Sequence, residues 1–258
     1  MPAATYARQV HVSAELSLTG ERTLPGIWHE NYWFRRHEAA YAWGAPQVVG
    51  GRVLEAGCGE GYGAGLLLAA GATQVVGVDY DAATAGHARK AYPQVPVLRG
   101  NLVALPLVSG SFDVVVSLQT VEHLWDQQLF VAECVRVLRP GGRLLVTTPN
   151  RLTFSPGVPR GAKPLNPFHV NELDQAELVD LVATVCVVEE SLGLHHGDRI
   201  KEWQGHNGSL VAAQLAASYD QWSAELMDLV KSLQVDDFVV NDVGVEDSLD
   251  LVVVGRKP

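Results

Sequence analysis

The segment Val53-Leu54-Glu55-Ala56-Gly57-Cys58-Gly59-Glu60-Gly61-Tyr62-Gly63 constrains the fold more than any other part of this 258-residue sequence. A short apolar run precedes it and a helical run follows, so the glycines occupy a turn between a strand and a helix. Glycines at 57, 59 and 61 let the main chain bend sharply and approach a ligand with no Cβ in the way. In an open α/β sheet such a turn lies at the carboxyl end of a strand, where ligands bind. Read from Gly59, the residues spell G-x-G-x-x-A, a spacing that dinucleotide-binding proteins tolerate. Read from Gly57, the final glycine of that fingerprint is replaced by Tyr62.

Around this turn the chain alternates. Strand-like runs cover residues 52–55, 74–78, 95–98, 112–117 and 143–148, with helical patterns at 64–70, 82–92 and 127–138. Asp126 is placed to cap the last of these helices, and Pro140-Gly141-Gly142 to end it. A helix at 174–185, a strand at 186–190 and a closing strand at 250–255 complete the series. The pattern predicts an α/β fold: a mostly parallel seven-stranded sheet with helices on both faces and right-handed crossovers. An aromatic-rich stretch at 26–43 predicts an N-terminal helix closed by Gly44 and Pro46. Residues 1–25 are mixed in character and expected to be mobile, and 150–170 reads as a Pro- and Gly-rich loop. Residues 191–246 separate the last two strands and carry a long helical pattern at 210–233, expected to form a substrate cap or a dimer interface. One domain over 1–258 is expected, its cofactor-binding core at 51–149.

The formal net charge is −10, and no Lys/Arg-rich run or basic-aromatic stripe appears, which argues against nucleic acid as a partner. The first residues lack the continuous apolar core of a secretory signal, and no apolar run approaches the roughly 20 residues that cross a bilayer. Cys58, Cys134 and Cys186 lie far apart with no metal-binding spacing, so buried thiols are expected. The expected setting is cytoplasmic, with no membrane partner.

Asp79 ends the strand Val75-Val76-Gly77-Val78, where a carboxylate can accept both hydrogens of a ribose diol. That fits adenosine in a dinucleotide or in S-adenosylmethionine; the segments that follow separate the two. Gly100-Asn101-Leu102 ends the third strand, Ser111-Phe112-Asp113-Val114-Val115-Val116-Ser117 forms the fourth, and Gln119-Thr120-Val121-Glu122-His123-Leu124 comes next. Then Val137-Leu138-Arg139-Pro140-Gly141-Gly142-Arg143-Leu144-Leu145 leads into the fifth. With E-x-G-x-G-x-G at 55–61, this order over 53–149 resembles the class I S-adenosylmethionine-dependent methyltransferases that carry an E-H-L motif. The resemblance implies a Rossmann-like methyltransferase fold with S-adenosylmethionine as cofactor. It implies Glu55, Gly57, Gly59 and Gly61 around the methionine end, and Asp79 at the ribose with Tyr80 beside it. Asn101 and Leu102 would flank the adenine, and Gln119 would support the back of the pocket. The N-terminal helix would lie across it, with Tyr32, Arg36 and His37 either meeting the cofactor carboxylate or serving as ordinary helix packing.

A sulfonium methyl is already activated for in-line displacement, so the protein has to hold a nucleophile opposite the departing sulfur. A hydroxyl nucleophile also loses a proton, which a base of near-neutral pKa receives. His123 follows the fourth strand, and imidazole has that pKa; the alternative is a pocket-shaping histidine, as in methyltransferases acting on carbon. Glu122, Asp126, His169, His196 and Asp198 are the polar groups expected to face the substrate. Glu122, Asp126 and His169 are also the expected ligands if a hard ion such as Mg²⁺ binds two sugar hydroxyls, as in some sugar methyltransferases. The alternative for these groups is hydrogen bonding to substrate alone.

Methyltransferases acting on nucleobase amino groups carry a proline-proline-aromatic loop after the fourth strand. This chain has Ser117-Leu118-Gln119-Thr120 there, which favours O-methylation. The segments G-E-R-T-L-P (20–25), E-N-Y-W-F-R-R-H-E (30–38), E-H-L-W-D-Q (122–127), T-P-N-R-L-T-F-S-P-G (148–157), N-P-F-H (166–169) and D-S-L-D-L (247–251) extend the comparison. Together they resemble the sugar 1-O-methyltransferases of mycobacterial methylmannose polysaccharide synthesis. That resemblance implies a short, partly methylated mannoside as acceptor, methylated on its anomeric hydroxyl. Tyr32, Trp33, Phe154 and Trp203 would then be available to stack on sugar faces. Competing readings are another small-molecule O- or C-methyltransferase, a nicotinamide dehydrogenase, and a non-catalytic cofactor-binding module.

Overall fold

Each central strand is a run of small and β-branched residues buried on both sides, as a sheet covered by helices on two faces requires. The computed structural model describes residues 23–258, so the expectation for residues 1–25 falls, up to residue 22, outside the described residues. The strands are β1 Arg52–Ala56, β2 Gln74–Asp79, β3 Val97–Arg99, β4 Phe112–Leu118, β5 Leu138–Pro149, β6 Val187–His196, β7 Phe238–Asn241 and β8 Asp250–Arg256. Successive residues point to opposite faces. Val53, Val114 and Val252 join one buried cluster, and Leu54, Val115 and Val253 the other.

The sheet has eight strands in the order β3-β2-β1-β4-β5-β8-β6-β7. The Rossmann-like half, β3 to β5, is parallel. The expectation of seven mostly parallel strands is corrected on the other half, where β8 runs antiparallel to β5 and β6, and β7 antiparallel to β6. The physical cause is the route of the chain. The insertion after β6 returns the chain to the carboxyl edge of the sheet, so β8 enters there at Asp250 and runs down. Phe238–Asn241 is too short to show a period-two pattern, and pairing with β6 makes it a strand.

Helices α1 Asn31–Val48, α2 Tyr62–Ala69, α3 Ala82–Ala91 and α4 Gln127–Val137 precede a short α5 Arg151–Phe154 and α6 Gln175–Ala183. The insertion supplies α7 Asp198–Asn207, α8 Leu210–Leu215 and α9 Ala224–Ser232. The single helix expected over 210–233 is interrupted by a 3₁₀ turn at Tyr219–Gln221, with Ser223 capping α9 through the Leu226 N–H. The N-terminal helix starts later than expected, after a 3₁₀ turn at Trp28–Glu30, and runs through Gly44 and Pro46 to Val48. Proline's fixed φ suits a helix, and near the helix end it removes one bond without stopping the chain. Gly44 is a packing feature: a Cβ there would lie 3.2 Å from Leu145 Cδ2. Asp126 caps α4 through the Leu129 N–H as expected. Leu138 already pairs with Phe112, so Pro140-Gly141-Gly142 lies within β5 and not at a helix end.

Helix α1 packs against α2, β7 and α9. It is pinned by a buried ion pair in which Arg36 Nε donates to Asp250 Oδ2 at 2.7 Å and Nη2 donates to Oδ1. The guanidinium also lies over the Phe154 ring at 4.5 Å. At the amino end Asn31 Nδ2 donates to the carbonyls of Val230 and Leu233, and Trp28 and His29 meet Tyr219 and Trp222 edge-on or stacked. The insertion is thereby fastened to α1 on one face of the sheet. Breaking a buried pair strands the remaining charge, so Arg36→Met alone is expected to cost about 3–5 kcal/mol. Adding Asp250→Leu should recover most of the loss. Urea midpoints at constant m-value measure both, and a single variant as stable as the parent would remove the pair as the anchor of α1.

Candidate functional site

The glycine turn is bound to the end of the neighbouring strand by main-chain geometry. The N–H groups of Gly57 and Cys58 donate to the Val78 carbonyl at 2.9 and 3.1 Å. Gly59 N–H donates to Asp79 Oδ2 at 2.9 Å, and Asp81 N–H donates to Oδ1 at 2.9 Å. Gly57 has φ +87°, and a Cβ on it would lie 2.4 Å from Thr120 Oγ1. A Cβ on Gly59 would meet nothing within 4 Å, so the turn is open on that side. Tyr80, 68% exposed, flanks this opening.

Glu55 at the end of β1 is buried. Its Oε1 accepts from Tyr41 O–H at 2.5 Å, while Oε2 has no partner among the described residues. Burial pushes its carboxyl up to about 8, against the opposing Tyr41 hydrogen bond. An orphaned buried oxygen beside an open glycine turn fits the ammonium end of a ligand such as S-adenosylmethionine. Asn101 is exposed, with Oδ1 accepting from Val103 N–H, and Leu102 is buried. Gln119 has φ +52°, an uncommon conformation for a side chain of its kind, and its Nε2 donates to Thr147 Oγ1 at 3.1 Å. Strain of this type clusters at ligand sites.

The three α1 residues have partners of their own. Tyr32 O–H is 2.8 Å from His196 Nε2, Arg36 is engaged by Asp250, and His37 Nδ1 lies 3.3 Å from Thr23 Oγ1. Burial, then the Arg36 charge, lowers His37 to about 3 and His196 to about 4, so both rings are neutral. Tyr32 and Arg36 thus both have packing partners within the fold. Trp33 and Trp203 are partly buried against the core, and Phe154 supports Arg36.

A second cluster stands beyond β4 and β5. Glu122, in the 3₁₀ turn Val121–His123, is 1% exposed and accepts from Thr148 O–H at 2.9 Å. Burial raises its carboxyl, opposed first by His123 and then by His169. His123 Nδ1 lies 3.2 Å from the Phe168 carbonyl, and Nε2 is 3.9 Å from Glu122 Oε1. The His169 ring stands edge-on to it, centroids 5.0 Å apart, with Nδ1 2.6 Å from Glu172 Oε1. One donor atom each from Glu122, His123 and His169 falls within 4.8 Å of the others.

Asp126 is occupied as the α4 cap and exposed, and Asp198 is exposed in the first turn of α7; neither belongs to that cluster. His196 sits with Tyr32 instead. Among the described residues the donor atoms that converge include His123, where the expected Mg²⁺ set had Asp126. One carboxylate and two imidazoles suit a borderline metal better than Mg²⁺, which prefers an all-oxygen shell. Thr148, Asn166 and Asp250 are site-building residues that no role was expected for, although each lies in a segment already distinctive in sequence. Glu172 carried no sequence signal, because only folding brings it under His169.

A family model described as a methyltransferase domain matches residues 54–146. A protein of Mycolicibacterium smegmatis named as a probable S-adenosylmethionine-dependent methyltransferase is 51% identical over 94% of this chain and 96% of its own. A Mycobacterium tuberculosis protein of the same description is 47% identical over 95% of this chain and 91% of its own. In fold, the chain is similar to a Thermotoga maritima S-adenosylmethionine-dependent methyltransferase, a possible histamine N-methyltransferase. The TM-score is 0.57 at 22% identity, covering 90% of this chain and all of that one. With a glycine turn open beside Glu55 and Asp79, and relatives that match nearly end to end, the chain belongs to the S-adenosylmethionine-dependent methyltransferases.

Proposed function

We propose that this methyltransferase acts on a sugar hydroxyl, the anomeric 1-OH of a short, partly methylated mannoside, with His123 as the base. The observation that carries the base assignment is the His123 ring beside buried Glu122, its Nδ1 facing a carbonyl oxygen. A carbonyl only accepts, so Nδ1 bears a hydrogen, and Nε2 is the nitrogen that would receive a substrate proton. The acceptor class is supported by the sequence segments shared with sugar 1-O-methyltransferases. An oxygen acceptor also agrees with the polar lining of this end of the cleft.

S-adenosylmethionine supplies a methyl already activated for displacement. The chain's own residues would bind and orient it. Asp79 would accept from the ribose hydroxyls while holding Gly59, and Tyr80 would cover the adenosine beside Asn101 and Leu102. Glu55 would face the positive methionine end from below, and Gln119 would close the back of the pocket. Glu122 would stabilise positive charge on His123 once the proton has moved.

S-adenosylhomocysteine is expected to raise the melting temperature, and NAD to leave it unchanged. Asp79→Ala should weaken S-adenosylhomocysteine by about tenfold or more, the loss of a charge-assisted pair of bonds. His123→Ala is expected to lower turnover by about 10²–10⁴-fold while S-adenosylhomocysteine affinity stays near that of the parent. Unchanged turnover in that variant would end the assignment. Labelled-methyl transfer across mannosides, glucosides and small phenols tests the acceptor class, and label only in phenols favours the small-molecule alternative.

A divalent ion held by Glu122, His123 and His169 is a second reading, favoured by the close approach of their donor atoms. Chelation should then abolish turnover, with Mn²⁺ restoring it better than Mg²⁺. Turnover that survives chelation would sink this reading.

A further inference from the structure

Beside the glycine turn, Tyr41 and Glu55 meet at a place where three unfavourable choices coincide. Glu55 is 1% exposed, and burying a carboxyl group this fully is costly unless it is hydrogen-bonded. Tyr41 O–H donates to its Oε1 at 2.5 Å, yet Oε2 is left with no partner among the described residues. Gly63 is the second residue of α2, and glycine weakens a helix by up to about 1 kcal/mol relative to alanine. A Cβ on Gly63 would lie 2.2 Å from Glu55 Oε1 and 2.2 Å from the Tyr41 hydroxyl oxygen. The glycine vacates the space in which hydroxyl and carboxyl meet.

Fastening α1 to the sheet does not account for this pair. Arg36 and Asp250 already anchor the helix, and an apolar contact would add packing without a buried acid. The Tyr41 ring is itself held in place, edge-on to Tyr62 with centroids 5.6 Å apart. What a hydroxyl adds over an apolar group is direction. It fixes one oxygen of the carboxyl, favours the ionised form, and leaves the second oxygen as an acceptor.

We propose that Tyr41 is a positioning residue for the cofactor: it holds Glu55 Oε1 so that Oε2 meets the ammonium of the methionine end, and Gly63 makes that approach possible. Tyr41 acts through Glu55, so the proposal rests on the reading of Glu55 as the acid at that end. Pairing with an ammonium requires the carboxylate. Burial opposes ionisation and pushes the carboxyl up to about 8, while the Tyr41 bond and the Ala64 N–H pull it down. Glu60 in the turn and Asp79 on β2 add to the upward push. Tyr41, Tyr62 and Cys58 are all raised by their own burial and stay uncharged near neutral pH. The preference for an ammonium therefore grows as pH rises toward 8, and losing the Tyr41 bond moves that growth to higher pH.

The test is calorimetric titration of the full chain with S-adenosylhomocysteine and with its desamino analogue, in which hydrogen replaces the ammonium. At about pH 8 the parent is expected to prefer S-adenosylhomocysteine by about thirtyfold or more, and less at about pH 6. Tyr41→Phe keeps the ring and removes the donor. It should reduce the preference by about fivefold or more, with the desamino analogue within about twofold of its parental affinity. Glu55→Gln should abolish the preference, and adding Tyr41→Phe to it should change little further. Gly63→Ala sets a methyl group against the pair and should act as Tyr41→Phe does, which carries the test if Tyr41→Phe fails to fold. A parent that binds both ligands equally at about pH 8 overturns the proposal without any variant. So does Tyr41→Phe with the parental preference, or with equal losses for both ligands, the mark of a merely structural role. If Glu55→Gln keeps the preference, the reading of Glu55 fails and the proposal with it. If neither ligand binds the parent, it is the cofactor site itself that has been misplaced.

Discussion

The buried ion pair between Arg36 and Asp250 is the contact on which the layout of the site depends. It joins the first described helix to the first residue of the last strand, at the carboxyl edge where the glycine turn and His123 both emerge. With α1 held there, Tyr32 reaches His196 at the end of β6, and Tyr41 reaches Glu55 at the end of β1. One helix thus roofs both ends of the cleft. The guanidinium suits the role because its planar fork matches the carboxylate and its face lies over Phe154. Their own burial, and then its charge, lowers the neighbouring imidazoles His37 and His196, which stay neutral and act as hydrogen-bond partners, not charges.

The two ends of the site hold carboxyl groups in different surroundings. Around the glycine turn stand Glu55 and Asp79, and burial holds the Glu55 carboxyl largely uncharged. At the other end Glu122 stands under two imidazoles that pull its carboxyl back toward ionisation. Carboxyl groups therefore stand at both places.

Much of this was legible in sequence because it is local. E-x-G-x-G-x-G reports a strand, a sharp turn and a helix start, and Asp79 follows at the end of the next strand; parallel pairing of β1 with β2 then brings the acid to Gly59. Asp126 announced a helix start by its spacing and caps α4 as expected, while Asp174, read as the first residue of a helix, caps α6. His123 could be placed near the carboxyl edge of the sheet because it lies a few residues past the fourth strand, in the 3₁₀ turn Val121–His123. The role of Arg36 was not legible, nor was whether Asp126 has any role besides its cap. An arginine on a helix face can meet a ligand or a distant strand, and the choice depends on Asp250, 214 positions away. An aspartate after E-H-L can bind substrate or cap a helix, and capping used it.

The sequence by itself determined the alternation of strands and helices, the glycine turn and the family, because these follow from periodicities and spacings within a few tens of residues. Only the tertiary structure decided that the sheet has an antiparallel half, that β7 exists, and that the long helical pattern in the insertion is broken. Those outcomes depend on where the chain re-enters the sheet and which edge is left to pair. It also decided that Glu172, without any motif, meets His169, and that Asp126 is used as the cap of α4. Side chains several turns apart meet only after the backbone has folded, and short-range pattern carries no record of that encounter.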